Sequence, residues 1–346
     1  YVYIGSYKKG LARYDLITDT YTVWTPDNST LQTTVGDFGR CRVGDFDFDS
    51  AGNVWVANTG ATVPLSVKNT NDEWFNFSES NKYTTDPPNN FRQLVIDDLD
   101  QKWIAVTNDG ILVANTGTTL DDESDDVYMK VSTAQGLPTN QVLSMVKDNE
   151  GTIWVGTGNG IAVFYCPYAV FQEGGCNAVL PYVEIDGIGA NLMDSESVLS
   201  MAVDGANRKW IGTYNGVWLM SEDGTEQIYH FTVDNSPLIS NTIQTIAINH
   251  NNGEVFFGTD KGIVAYKSDA LGATDVHGEV LVYPNPVRPN YTGNIAIKGL
   301  AENAVVKITD ISGNLVFETK ALGGQAIWNG QDYTGKRAAS GVYLVF

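Results

Sequence analysis

One unit of about fifty residues recurs along the first part of the chain, and a repeat of that length decides how a polypeptide can fold before any single residue is weighed. The clearest copy is VLSMVKDNEGTIWVGTGNGIAVF, Val142 to Phe164. It is echoed by VLSMAVDGANRKWIGTYNGVWLM, Val198 to Met220, and by FRQLVIDDLDQKWIAVTNDGILV, Phe91 to Val113. More divergent copies run from Val43 to Val63 and from Ile243 to Tyr266, and a truncated one surrounds Tyr3. An aromatic residue anchors each copy: Tyr3, Trp55, Trp103, Trp154, Trp210 and Phe256, at successive separations of 52, 48, 51, 56 and 46 residues.

Within each copy apolar and polar residues alternate for about six positions, a turn follows, and the alternation resumes, which is the pattern of hairpins rather than helices. Three residues before the anchor stand Gly52, Asp100, Gly151, Asn207 and Gly253, types that accept a positive φ at little cost. Six before it stand Asp49, Asp97, Asp148 and Asp204, whose carboxylates can accept hydrogen bonds from turn N–H groups. The Phe256 copy carries one extra turn residue and places Asn249 in that role. Asp45, Asp47 and Asp49 alternate as strand residues, but no glutamate closes a calcium loop there, so turn capping and a solvent-facing strand are expected instead of a metal site. Four short strands per repeat, packed face to face around an axis, make a β-propeller, with the anchor aromatics filling the gaps between blades.

Charge narrows the partners. Forty-one acidic against 21 basic residues give a formal net charge of -20, which repels phosphate backbones and anionic bilayers, so nucleic acid is not expected as a partner. The densest acidic cluster, Leu120 to Asp126, is expected to be a solvated loop. No apolar run is long enough to span a membrane, and the segment from Tyr1 lacks the features of a signal peptide, so any export signal is expected upstream. Cys166 and Cys176 flank a turn-rich stretch that a disulfide could close in an oxidising compartment, with Cys41 left as a small buried apolar residue. The three histidines, His230, His250 and His277, are not at metal-ligand spacing to these cysteines, and no metal or cofactor is expected.

The copy GLPTNQVLSMVKDNEGTIWVGTGNGIAVF, Gly136 to Phe164, closely resembles the two-component regulator propeller repeat. That resemblance implies seven-bladed rings, often two in a row, in periplasmic sensor halves and surface proteins. Six copies are visible and the first lacks its leading strand, so an upstream region is expected to complete the ring.

After Ser268 the repeat ends, and residues 271–281 read as a linker. From Val282 onward the stretches IAIKGL, VVKITD, NLVFET, QAIWNG and GVYLVF alternate between Gly and Asn turns, describing a small Ig-like antiparallel β-sandwich. The expected organisation is thus all-β: a propeller over 1–270, a linker over 271–281 and a sandwich over 282–346. Tyr283, Pro284, Asn285 and Pro286, then Asp310, Gly313 and Asn314, then Trp328, Gly330 and Asp332, and finally Gly341, Val342 and Tyr343 resemble the C-terminal sorting domain of the type IX secretion system. The last strand of that family is expected beyond Phe346.

Propeller and tail together resemble a surface component of the type IX secretion machine. What this implies is an extracytoplasmic place on the outer-membrane surface, partner proteins in the complex that attaches cargo, and binding of anionic lipopolysaccharide or another glycan. Arg40 and Arg92, which precede or open inner strands near the channel mouth, are the candidate cationic contacts. A ligand-sensing periplasmic propeller of a two-component sensor, or a secreted cargo protein with a cleavable sorting domain, are the alternatives. An enzyme is not expected, because no Gly-x-Ser-x-Gly elbow, His-Glu-x-x-His pair or phosphate loop occurs.

Overall fold

The computed structural model describes residues 1–78, 80, 90–185 and 187–346. It separates into two compact units, Tyr1–Met201 and Ala202–Phe346.

In the first unit, β1 (Val2–Ser6), β2 (Gly10–Asp15) and β3 (Thr20–Trp24) form one sheet. A second contains β4 (Arg42–Phe48), β5 (Val54–Thr59), β6 (Leu65–Lys68) and β7 (Trp74–Asn76). A third contains β8 (Phe91–Ile96), β9 (Lys102–Val106), β10 (Gly110–Asn115) and β11 (Val127–Val131), and a fourth β12 (Val142–Lys147), β13 (Ile153–Thr157) and β14 (Gly160–Phe164). Each strand pairs antiparallel with its neighbour in sequence, as in a propeller blade. The hairpin of β15 (Tyr182–Ile185) and β16 (Ile188–Asn191) follows. Between β14 and β15, Cys166 and Cys176 are joined by a disulfide with 5.6 Å between their Cα atoms, and Cys41 is buried and free.

The cores lie between sheets rather than within them. Trp55, Ala57 and Val67 of the second sheet pack with Leu94, Ile104 and Leu112 of the third. On the third sheet's other face, Trp103, Val95 and Val113 pack with Met145, Val155 and Phe164 of the fourth. Because adjacent strand residues point to opposite faces, a sheet covered on both sides must be apolar at every position, and β5, β9 and β13 are buried along their whole length.

In the second unit, a blade is ordered β17 (Ser200–Val203), β18 (Lys209–Thr213), β19 (Gly216–Met220) and β20 (Gln227–Phe231), its first strand carrying the division between units. The next is β21 (Ile243–Asn249), β22 (Glu254–Thr259) and β23 (Gly262–Lys267). Then come β24 (Leu281–Tyr283), β25 (Ile295–Lys298), β26 (Val305–Asp310), β27 (Leu315–Lys320), β28 (Gln325–Trp328) and β29 (Tyr343–Val345). These make two small sheets, β24-β25-β28 and β27-β26-β29. Ile297 and Trp328 of one meet Val306 and Ile308 of the other in a shared core, the arrangement of a small sandwich. Among the described residues no helix is long and apolar enough to cross a membrane. The protein is thus all-β, propeller blades followed by an Ig-like sandwich.

One anchor departs from expectation. Trp55, Trp103, Trp154 and Trp210 are buried and Tyr3 is half-buried, but Phe256 is 36% exposed. Its place in the sheet corresponds to Trp154, each lying opposite the residue three beyond the first-strand bulge. What differs is the cover: Ala247, Ile263 and Ala265, on the same face as Phe256 by strand alternation and register, are exposed too. The buried aromatic of β22 is Phe257 on the opposite face, 5.6 Å from the ring of Trp210.

Candidate functional site

The aspartate six residues before each tryptophan does two things at once. In the blade of Trp103, Asp97 Oδ1 accepts from the backbone N–H groups of Leu99 and Gln101 across the turn, and Oδ2 accepts from the indole of Trp103 at 2.9 Å. The same pair of bonds links Asp49 to Trp55, Asp148 to Trp154 and Asp204 to Trp210. A buried indole N–H needs an acceptor, so turn and anchor are specified together. Asp100 and Asn207 of the turn adopt φ of 58° and 56°. Beside this box, the buried Lys102 sets Nζ 3.9 Å from the Trp55 ring centroid and donates to Thr116 Oγ1, and burial lowers its pKa to about 8.

A second device joins one blade to the next. The first strands β4, β8 and β12 carry a bulge near their start, and the residue just after it reaches backbone in or just before the next blade's first strand. Asp45 Oδ2 accepts from Leu94 N–H at 3.0 Å. Gln93 bonds both N–H and C=O of Met145, and Ser144 Oγ donates to Val198 O. Asp47 adds a bond from Ile96 N–H at 2.9 Å. The approach is close: a Cβ on Gly44, the bulge residue of β4, would lie 2.4 Å from Phe91 O. Asp45 and Asp47 are therefore interblade clasps and not residues of a solvent-facing strand. Among the described residues no group of three or more His, Cys, Asp or Glu could hold a metal ion.

Burial raises the Asp45 carboxyl to about 6, against the opposing hydrogen bonds from Leu94 and Phe46, and the nearby Asp47 pushes the same way. A carboxyl raised in the folded state holds a proton that the unfolded chain has already lost, so its contribution to stability is full below about pH 4 and disappears as pH rises through about 6. Asp45→Asn removes this titration. Urea unfolding at a series of pH values should show the variant gaining on the wild type between pH 4 and 6, with a constant difference above; parallel curves would show that Asp45 does not titrate there.

Of the candidate cationic contacts, Arg40 lies in the loop before β4, half exposed and 3.4 Å from Asp37. Arg92 is exposed on the bulge of β8. Among the described residues no hydrogen bond or ion pair joins the two. A cavity of about 240 Å³ lies elsewhere, at the start of β14 and the end of β16, lined by Ile161, Leu180 and Leu192 together with Asn159, Asn191 and Asp194.

The sorting-type residues hold their sandwich in a similar way. Trp328 is buried, donates its indole N–H to Gln331 O at 2.7 Å and meets Tyr343 edge-on at 5.3 Å. The Tyr343 hydroxyl donates to Ala339 O. Gly313, at φ 84°, closes the turn whose N–H groups at Ser312 and Asn314 bond Asp310. Pro284, Asn285 and Pro286 follow edge strand β24, where a missing N–H breaks no ladder, and Gly341 is an exposed loop residue before β29.

The segment between blade and sandwich is held from both sides. Arg208, buried in the turn of the β17–β20 blade, donates to Asp204 at 2.8 Å, to Ser268 at 3.1 Å and to Asp269 at 2.7 Å. Gly272 N–H bonds His250 O, while Leu271 pairs with Leu322 and Gly324, and Gln325 donates to Asp269 O. Glycine permits this approach: a Cβ on Gly205 would sit 1.8 Å from Leu271 O.

Comparison with known proteins agrees with both halves. Residues 136–159 match the family described as two component regulator propeller, and residues 281–346 match the secretion system C-terminal sorting domain. No curated protein matches the chain. Among solved structures, PorZ, an essential surface component of the type-IX secretion system of Porphyromonas gingivalis, is 28% identical with a TM-score of 0.70. The alignment covers 99% of this chain and 47% of PorZ, so the chain spans about half the length of that relative. The extracellular domain of BT4673 from B. thetaiotaomicron is 13% identical with a TM-score of 0.55, over 99% of this chain and 48% of its own, and shares the fold. The chain is therefore built from regulator-type propeller blades and a secretion system C-terminal sorting domain, and is similar in sequence and structure to PorZ over its whole length.

Proposed function

We propose that this protein is a non-enzymatic cell-surface component of type IX secretion that binds partner proteins and keeps its sorting domain. Its domains are then the propeller of residues 1–270, the linker 271–281 and the sorting domain from 282 onward. The observation that carries the proposal is the linker. A sorting domain destined for removal needs a free stretch in front of it, whereas Asp269 to Gly272 are clamped by Arg208, His250, Leu322 and Gly324, and the exposed residues that follow are tied to the sandwich by Glu302 N–H on Thr274 O, Ala301 N–H on His277 Nδ1 and Gly278 N–H on Gly299 O. The likeness to PorZ supports an extracytoplasmic place at the outer-membrane surface. Anionic lipopolysaccharide or another glycan, with Arg40 and Arg92 as contacts, is the ligand that the likeness suggests.

Mass spectrometry of the mature protein from its native outer membrane tests this. Peptides from residue 282 onward, present in the same stoichiometry as propeller peptides, are expected. Their loss would make the chain exported cargo instead.

A further inference from the structure

The hairpin between β1 and β2 gathers cations in a chain whose net charge is -20. Lys8 and Lys9 occupy its turn, both exposed. Cys41 N–H bonds Lys8 O and Gly10 N–H bonds Cys41 O, which sets Arg40 and Arg42 on either side of the contact. The Arg42 guanidinium lies 5.3 Å from the centroid of the Tyr7 ring. Apolar side chains stand among these charges: Tyr7 is 64% exposed, and in the loop before Arg40 Val35 is 48% and Phe38 82% exposed. The loop itself is fixed, with Thr34 N–H on Arg40 O, Asp37 N–H on Thr34 O and Val35 N–H on Gly60 O.

We infer that this face, Tyr7, Lys8, Lys9, Phe38 and Arg40, binds an acidic polypeptide segment that carries an apolar side chain. Of the four cations Lys8, Lys9, Arg40 and Arg42, the two arginines share one acid, Asp37, at 3.4 and 3.1 Å. Charge complementarity thus calls for an anion. Val35 and Phe38 offer dry surface that suits a Leu or Phe side chain beside the acidic groups. Exposed aromatic residues beside arginine are also the composition of protein-interface hot spots. This inference gives a surface to the partner binding proposed above and rests on it only in expecting a protein ligand.

The test uses the purified chain and a fluorescein-labelled peptide of repeated Glu-Glu-Phe, read by anisotropy, with heparin as the anionic-glycan comparison. Binding is expected to weaken steeply with salt and to fall by more than about ten-fold in K8E/K9E/R40E. Phe38→Ser should weaken it with the charges intact. The conservative K8R/K9R/R40K variant should bind as wild type, and K320E/K336E, on the sandwich, should too. No binding of the peptide, binding indifferent to the triple charge reversal, or loss of heparin binding alone would overturn the inference. None of these results depends on where the protein acts, so they fail separately from the mass-spectrometric test of the linker.

Discussion

Trp103→Ala should lower the stability of the blades by about 3 to 5 kcal/mol, the cost typical of truncating a fully buried aromatic residue. Trp103 fills the space between the third and fourth sheets, packs at 5.2 Å on the ring of Phe164, and is completely buried. Truncation leaves a cavity that the surrounding strands cannot close, because both faces of the third sheet are already packed. It also removes the indole N–H from Asp97, a buried carboxylate that keeps only its two turn N–H bonds. Phe256→Ala, at the corresponding place in an uncovered sheet face, should cost about 1 kcal/mol or less. Urea denaturation followed by circular dichroism compares the two. Equal losses would mean that the anchors stabilise each blade from within and not the seam between blades.

That contrast marks what the sequence could and could not reveal. Spacing alone located the tryptophans and their aspartates, because a hairpin repeat fixes both within a few residues. The dual use of each carboxylate followed only from the structure, since nothing in a six-residue interval says that the indole turns back to the turn it follows. The interblade clasps left no pattern at all. Asp45, Gln93 and Ser144 occupy the same position in successive blades but differ in chemistry, and their partners are backbone atoms 49 to 54 residues away. For Phe256 the register was legible and the burial was not, because burial depends on whatever lies against the sheet. Arg208 was the plainest omission. A charged residue in a turn reads as solvated, and its partner Asp269 is 61 residues distant.

Arg208→Met should therefore cost about 3 to 5 kcal/mol, as breaking a buried pair from one side generally does, and should open the linker to proteases. The guanidinium side chain is 7% exposed, and its pKa is raised by Asp204 and Asp269 in spite of the opposing effect of burial. Methionine fills much of the volume but leaves Asp204, 1% exposed, with backbone N–H donors and a long 3.3 Å indole bond in place of its cation. The Asp269 carboxylate loses its cation in the same step. The pairing of Leu271 with Leu322 and Gly324 and the Gly272 N–H bond to His250 O then have to hold the linker without Arg208. Brief digestion with thermolysin should cut the variant between residues 268 and 281 while the wild type stays whole under the same conditions. The double variant D204N/R208M, which removes both buried charges, should recover much of the stability but not the protease resistance, because the Asp269 carboxylate still lacks its cation. If both variants resist cleavage as the wild type does, the sorting domain is held by its own pairing with residues 271–274, and Arg208 serves only the turn of its blade.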